Sequence, residues 1–240
     1  MSSQFGSNWP GFMEKFGNIA GPLLAYEVLT AFFLEATFLG IMLFGINKVS
    51  NKVHTISATL VAIGTTLSAF WIMALGSWMQ TPDGFKMIDG VAYPENWIKI
   101  VFNPSMTLRF VHMILASGLT VAFLIAGISA YCIIKNGQSE STTTALKSSI
   151  ICAAILSIAQ LFSGDALGLN SLKHQPAKIA SVEAMWETGY GMPLRIFAIP
   201  DNKLKKNKFE IGIPKIGGLI LTHKMNGLIK GINDFPEHPP

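Results

Sequence analysis

Long apolar stretches separated by short polar segments dominate the first 170 residues of the chain. Four of these stretches cover residues 22–46, 54–78, 110–134 and 145–169. Each is long enough to cross a hydrocarbon layer of ~30 Å as a helix of about 20 residues. Pro22 follows a glycine and is predicted to be the first residue of the first helix. The pattern therefore predicts an all-α integral membrane fold with four transmembrane helices.

Residues 170–240 contain no further apolar stretch of that length and are predicted to form a large loop region. Within it, residues 179–187 favour a helix, and residues 193–214 favour strands and turns. The chain then divides into three parts: an external N-terminal segment (1–21), a four-helix transmembrane region (22–169) and an extracytoplasmic loop region (170–240).

The basic residues near the helix ends predict the orientation in the membrane. The two short connections and their margins hold four of them: Lys48, Lys52, Lys135 and Lys147. The longer connection over residues 79–109 is less densely basic. The positive-inside rule then places the short connections in the cytoplasm and the loop region outside.

Composition supports a membrane protein. Half of the residues are hydrophobic, only 13% are charged, and the mean hydropathy is +0.43, whereas soluble domains average about 25% charged residues. The lysines beyond residue 170 are scattered without an aromatic stacking platform, so no nucleic-acid partner is predicted. Cys132 and Cys152 lie in apolar runs without CxxC spacing, which indicates neither a disulfide framework nor a thiolate metal site.

Two carboxyl groups, Glu27 and Glu35, lie inside the first apolar stretch. Eight helical residues at about 100° each bring them within about 80° of each other, about 12 Å apart along the axis. An ionised acid at membrane depth costs at least about 2.5 kcal/mol, which makes such residues functional candidates. They are interpreted as a proton relay, or as ligands or neighbours of a metal cofactor. A protonated helix contact, or pairing with Ser or Thr, is the structural alternative.

His112 lies near the external end of the third stretch and is followed by the small residues Ala116, Ser117 and Gly118. A neutral imidazole can bind a haem iron, and small residues leave room for a flat macrocycle. A hydrogen-bonded structural histidine is the alternative interpretation. The four other histidines are predicted to lie on the surface: His54, His174, His223 and His238.

The loop region interleaves charged and apolar residues around Lys178 and Glu183. One interpretation is a solvated amphipathic helix that lies on the membrane. The other is a site for an amphiphilic ligand, with a lysine donor and a glutamate acceptor, which Asp165 at the external end of the fourth stretch could join. The lysine-rich residues 203–208 are interpreted as a solvated loop.

Seven motifs, taken in order, resemble subunit I of the cytochrome bd quinol oxidases. They are Phe5-Gly-Ser-Asn-Trp9, residues 27–37, Gly76-Ser-Trp-Met-Gln-Thr-Pro82, Arg109-Phe-Val-His112, Gly164-Asp165, residues 178–188 and Phe197-Ala-Ile-Pro200. The resemblance covers essentially the whole chain.

The resemblance implies the haem-bearing subunit of a terminal respiratory oxidase in a bacterial or archaeal cell membrane. Such a subunit oxidises quinol, either ubiquinol or menaquinol, at the external face and reduces oxygen to water, which contributes to the proton gradient. Two haems b and one haem d are expected in the full-length subunit. The resemblance implies oxidase subunit II as a partner and is compatible with a small accessory subunit. Membrane lipid is expected to surround the helices.

The resemblance also implies roles for individual residues. By position, His112 resembles an axial ligand of the iron of the low-spin haem b. Lys178 and Glu183 match quinol-binding positions of the external loop, called the Q-loop, and Asp165 lies at a nearby family position.

The two membrane acids match the oxygen-reducing end of the family. Glu27 resembles the acid at the haem d and oxygen site, and Glu35 resembles one that feeds protons toward that site. A carboxyl group that is removed from water can hold and pass a proton at neutral pH.

Two regions of the family pattern are missing from the sequence. Family members begin with two further spans that carry a haem-ligating histidine, and they continue after the Q-loop with spans that carry the methionine partner of the low-spin haem. This chain is therefore expected to be a fragment that does not assemble the complete haem set alone.

Three alternatives stay open. One is a haem-b-only quinol oxidase of the same family. Another is a proton-coupled membrane transporter, in which Glu27 and Glu35 bind protons and His112 is structural. The third is an inactive fragment that folds without a cofactor.

Overall fold

The computed structural model describes residues 2–235, with side chains from residue 5 onward. Four of its helices are long and apolar enough to cross a membrane: Pro10–Phe44, Asn51–Trp78, Met106–Asn136 and Glu140–His174. The predicted all-α membrane fold is therefore confirmed. All four helices begin earlier than predicted and the last two also end later, because hydropathy locates only the apolar part of a helix and misses its polar end turns. The first span ends at Phe44, two residues before the predicted end, and the second ends at Trp78 as predicted. The chain forms two compact units, Met1–Phe110 and Val111–Pro240.

The first unit opens with a short helix, α1 (Ser2–Asn8), and a long first span. That span consists of α2 (Pro10–Glu27), a π-helical turn (Val28–Phe32) and α3 (Phe33–Phe44).

The predicted start of the first span is wrong, because Pro22 lies inside α2 and Pro10 begins the helix. Proline suits the first position of a helix, where its missing N–H is not needed, and Pro10 meets that condition. Upstream of Pro22, Ile19 and Ala20 are fully buried in the core of this unit, so packing holds the earlier turns helical.

Helix α4 (Asn51–Trp78) packs along the first span. Ser50 caps its N-terminus by accepting a hydrogen bond from the backbone N–H of Val53. Its residue Gly64 touches the first span so closely that an added Cβ would lie 3.2 Å from the backbone nitrogen of Glu35 and 3.4 Å from the carbonyl oxygen of Ala31. The two helices therefore meet backbone to backbone, as small residues allow in membranes.

The connection after α4 folds over the end of the hairpin that α2 and α4 form. It contains an antiparallel pair, β1 (Phe85–Ile88) and β2 (Val91–Pro94), and a short helix, α5 (Trp97–Val101). The Asp89-Gly90 turn between the strands has positive φ at both residues, as tight hairpins require. The core below it contains eight buried residues: Ile19, Ala20, Leu23, Leu24, Leu75, Trp78, Ala92 and Ile100.

Two long helices, α6 (Met106–Asn136) and α7 (Glu140–His174), supply the remaining spans. Ser139 caps α7 in a capping box with Thr142. The next helix, α8, covers Pro176–Val182, so the prediction of a helix over residues 179–187 is wrong at both ends. Proline again begins the helix, and Ala184, with a φ of 51°, prevents its continuation.

The rest of the loop region is a small mixed fold. The order is β3 (Gly189–Tyr190), β4 (Leu194–Asp201), β5 (Lys206–Ile213), α9 (Ile216–Thr222), β6 (Leu228–Ile229) and a 3₁₀ turn (Ile232–Asp234). Strand β3 pairs with β6, and β4 with β5, so the strands predicted over residues 193–214 are confirmed. A buried cluster of four residues holds α8, α9 and β6 together: Ala180, Met185, Leu221 and Ile229.

The tip of the β4–β5 hairpin is organised by Asp201. Its carboxylate accepts hydrogen bonds from the backbone N–H groups of Lys203 and Leu204 and lies 2.6 Å from the ammonium group of Lys208. The bond from Lys208, and after it the one from Leu204, lowers the pKa of Asp201 below its ordinary value. The turn therefore has a fixed geometry with an ionised aspartate at its base.

The close approach at Gly64 predicts a stability difference between two glycines of α4. Alanine at either position gains helix propensity, by about 1 kcal/mol relative to glycine. At Gly64 the new methyl group crowds the first span, whereas at Gly76 it meets no atom within 4 Å. We expect Gly64→Ala to have a free energy of unfolding about 1–3 kcal/mol lower than Gly76→Ala. Unfolding of both variants in the same detergent measures the difference, and equal stabilities would contradict the packing described.

Candidate functional site

The two membrane acids lie on the side of the first span that faces α4. The hydroxyl of Ser68 donates a 2.8 Å hydrogen bond to Oε1 of Glu27, the last residue of α2. One turn earlier on α4, Gly64 borders the backbone and Cβ of Glu35. The structure therefore places both acids on one face of the span, as the sequence predicted, and that face lies against α4. The Ser68 contact is the pairing with a serine that the sequence left open as the structural alternative, although Ser68 itself was not singled out.

The π-helical turn between the acids changes their relative direction. The backbone N–H of Phe33 bonds to the carbonyl of Val28, an i→i+5 bond that accommodates one extra residue in the turn. Eight residues then rotate about as far as seven α-helical steps, roughly 700°, which is within about 20° of two full turns. The uninterrupted helix assumed from sequence would leave about 80° between them. The turn thus aligns Glu27 with Glu35.

Aromatic and hydroxyl contacts hold the π-helical turn against α4. The indole N–H of Trp71 donates a 3.0 Å hydrogen bond to the hydroxyl of Thr30, inside the turn. The ring of Trp71 also stacks on that of Tyr26, with 5.1 Å between ring centroids. Gly64, Ser68 and Trp71 follow one another at helical spacing of four and three residues, so one stripe of α4 makes all of these contacts.

His112 lies half-buried on α6 and faces α7. The amide nitrogen of Gln160 is 2.9 Å from Nε2 and 3.2 Å from Nδ1 of the imidazole. One turn further along α7, a Cβ on Gly164 would lie 3.4 Å from Cε1 of the same ring. The imidazole is therefore enclosed by a polar side chain and by the bare backbone of a glycine.

These surroundings suit a haem ligand. A ligating histidine needs one free ring nitrogen and a hydrogen-bond partner on the other, and Gln160 can be that partner. The Oε1 atom of Gln160 is buried and lacks a hydrogen-bond partner among the residues that the structure describes. Turning this amide over would present Oε1 to a ring N–H, which would leave the other nitrogen free to bind iron.

Asp165 follows Gly164 directly and forms a hydrogen-bonded pair with His223 that the sequence did not predict. Nε2 of His223, at the C-terminal end of α9, lies 2.9 Å and 3.1 Å from the two carboxylate oxygens of Asp165. The pair ties the loop region to α7 one residue away from the wall of the imidazole site.

The structure tests three of the four other histidine predictions. His223 and His174 are exposed, but His223 is engaged by Asp165. His54 is half-buried and its Nε2 lies 2.9 Å from the carbonyl oxygen of Met42, so the surface prediction is wrong for it. Met42 lies in the last turn of the first span, which ends at Phe44. His238 lies outside the described residues.

Lys178 and Glu183 lie on α8 and at its C-terminal cap. Lys178 is exposed, and Glu183 is half-buried. The carbonyl oxygen of Glu183 accepts a 3.2 Å hydrogen bond from Nη1 of Arg195, whose Nε lies 3.0 Å from a carboxylate oxygen of Glu210. Strand β4 therefore fixes the cap of α8, five residues after Lys178.

The structure groups the candidate residues into two sets. Glu27 and Glu35 meet along α4 in the first unit. In the second unit, His112 lies against Gln160 and Gly164 of α7, and Asp165 is the next residue of that helix. Across residues 2–235, no three His, Cys, Asp or Glu side chains cluster as a metal site. A haem iron needs fewer protein ligands than such a cluster supplies.

Sequence comparison identifies the family of the chain. The family model described as cytochrome bd terminal oxidase subunit I matches residues 1–240. The chain is 33% identical over 230 residues to cytochrome bd ubiquinol oxidase subunit 1 of Bacillus subtilis, covering 95% of this chain and 49% of the relative. It is 32% identical over 238 residues to cytochrome bd-II ubiquinol oxidase subunit 1 of Escherichia coli, covering 98% of this chain and 46% of the relative.

Structural comparison gives the same result. The fold matches a chain of the bd oxidase from Geobacillus thermodenitrificans with a TM-score of 0.78 and 31% sequence identity, covering 95% of this chain and 53% of that chain. The chain spans about half the length of the curated relatives it matches. The match of the family model over all 240 residues shows that this protein belongs to the cytochrome bd terminal oxidase subunit I family.

Proposed function

We propose that the chain is part of the haem-bearing subunit of a terminal oxidase that oxidises quinol and reduces oxygen to water. The observation that carries the proposal is the imidazole of His112, enclosed by Gln160 and Gly164 next to the Asp165–His223 pair. Two relatives bear the name ubiquinol oxidase, which supports a quinol as the electron donor.

His112 is the residue that would hold a haem iron, a haem b by the family resemblance. When bound, haem supplies one-electron transfer. Gln160 fixes the direction of the ring, and Gly164 leaves the space that a side chain would fill. Haem d and a second haem b would be held by further parts of the subunit, as the family resemblance implies, and the chain spans about half the length of the relatives it matches.

The loop region supports a quinol site close to His112. A quinol loses protons as it loses electrons, so a site needs groups that orient its hydroxyls and accept protons. Asp165 on α7 and His223 at the end of α9 offer acceptor groups, and Lys178 on α8 and Glu183 at its C-terminal cap offer a donor and an acceptor. With the loop on the extracytoplasmic side, these protons would leave outside the cell and contribute to the proton gradient.

The aligned Glu27 and Glu35 of the first unit could pass protons to the site of oxygen reduction. Glu35 would receive a proton and Glu27, about 10 Å along the helix because the π-helical turn absorbs one residue, would deliver it, with Ser68 directing the Glu27 carboxyl group. Oxidase subunit II is the partner proposed to complete the enzyme, with room for a small accessory subunit.

Replacing the proposed ligand tests the haem assignment. We expect the chain purified from its native membrane to show a b-type band in a reduced-minus-oxidised spectrum, and His112→Ala to lose it. His174→Ala is the matched control, because His174 is exposed at the end of α7 and should leave the band unchanged. Equal bands in both variants would remove His112 as the ligand. A chain of intact mass without any haem band would favour an inactive fragment or a proton-coupled transporter.

Inserting one residue into the π-helical turn tests the proton path. One alanine added after Leu29 adds an α-helical step, which rotates Glu27 by about 100° relative to Glu35 and away from Ser68. We expect quinol oxidase turnover of the assembled enzyme to fall by about 10²-fold, the order of a lost acid–base group, with the His112 haem band retained. Deletion of Leu29, whose side chain is exposed, is the control, because it leaves seven α-helical steps between the acids and keeps them aligned. Unchanged turnover in the insertion would refute the role of the alignment.

A further inference from the structure

We propose that the β4–β5 hairpin is a binding surface for anionic phospholipid headgroups, and that it lies against the membrane next to α7. This inference is independent of quinol oxidation, because it concerns a surface that no step of the proposed reaction uses. It revises the interpretation of residues 203–208 as a solvated loop.

The first support is the depth at which the loop region is attached. Helix α7 has no charged residue from 148 to 164, a stretch of about 26 Å, close to the thickness of a hydrocarbon layer of ~30 Å. Asp165 follows directly, so it lies where the hydrocarbon layer gives way to the headgroups. Because His223 binds Asp165, α9 and the strands packed on it are held at headgroup level, not above it.

The second support is an apolar outer face on the hairpin. Directly opposed residues of an antiparallel pair share a face, and the pairs Leu194–Ile213 and Phe197–Ile211 share one with Ile199. Four of these five side chains are exposed, and Leu194 is half-buried. The opposite face carries Arg195 and Asn207, which bond to the cap of α8 and to the loop around Ala184. The hairpin is thus anchored by its polar face and presents its apolar face outward.

The third support is the charge of the tip. Residues 201–208 contain four lysines and one aspartate, and Asp201 is already engaged by Lys208 and two backbone N–H groups. Beside the remaining lysines, Leu204 is 62% exposed and Phe209 is 77% exposed. Phe209 also has a φ of 52°, a backbone conformation that bulky residues rarely adopt.

Lysines next to exposed apolar side chains are the pattern of a surface that lies in a lipid interface. The apolar groups enter the headgroup and acyl boundary, and the cations are attracted by anionic lipid. Solvation alone accounts for the lysines but leaves the apolar outer face unexplained, since exposed apolar patches mark contact surfaces. The anionic headgroup is therefore the partner that fits both properties.

A fluorophore at the tip tests the proposal on the full chain in lipid nanodiscs. Leu204→Cys, built in a Cys132→Ala/Cys152→Ala chain, carries an environment-sensitive label, and brominated acyl chains quench a label that contacts lipid. We expect quenching to rise several-fold when phosphatidylglycerol is added to phosphatidylcholine discs. It should fall back at about 1 M salt, where charges are screened within about 3 Å.

Charge variants decide between the possible causes. Lys203→Gln/Lys205→Gln/Lys206→Gln should abolish the increase, whereas the control Lys48→Gln/Lys52→Gln, just before α4 and in its first turn, should leave it intact. Equal quenching in both lipids, or an increase that survives the triple substitution, would overturn the proposal. A label that is shielded in detergent and insensitive to bromine in both kinds of disc would overturn it in favour of a protein partner. None of these readouts depends on haem.

Discussion

Polar groups at membrane depth must find partners inside the protein, because hydrocarbon offers none. Two such pairs lie within the spans, Glu27 with Ser68 and His112 with Gln160, and a third pair, Asp165 with His223, lies at the end of the apolar part of α7. Each pair joins two separate helices. The side chains suited to chemistry therefore also determine which helices face one another, and the fold and the candidate sites share the same contacts.

Glycine makes these contacts geometrically possible. Gly64 lets the backbones of α4 and the first span touch beside Glu35, and Gly164 lets α7 border the imidazole of His112. With lipid on the outside, close packing and interhelical hydrogen bonds drive helix association, since apolar burial gives no advantage there. A larger residue at Gly64 would separate the helices, and one at Gly164 would fill the space next to the ring.

The sequence predicts the four spans well because a run of about 20 apolar residues has one stable arrangement in a bilayer, an α-helix. It also identifies Glu27, Glu35 and His112, since polar residues inside such runs are conspicuous. It does not predict the π-helical turn, because an i→i+5 bond depends on neighbouring contacts and not on the apolar pattern.

The partners of the candidate residues are equally hidden from the sequence. Ser68 is one of several hydroxyls on α4, and only tertiary packing selects it. His223 is separated from Asp165 by 58 positions, so no local pattern connects them. Gln160 gave a signal that could have been used, since it is an uncharged polar residue in the middle of an apolar run. The end of α8 depends on a positive φ at Ala184. Alanine rarely adopts this conformation, so the sequence gives no signal for it.

Helix α7 also has a mechanical consequence. Gln160, Gly164 and Asp165 lie within two turns of one unbroken helix, about 8 Å from first to last. The residues that contact the imidazole of His112 and the residue that binds the loop region are therefore parts of the same continuous helix. A displacement of the loop that pulls on Asp165 is transmitted to the amide and the backbone that position His112, with no flexible joint between them to absorb it.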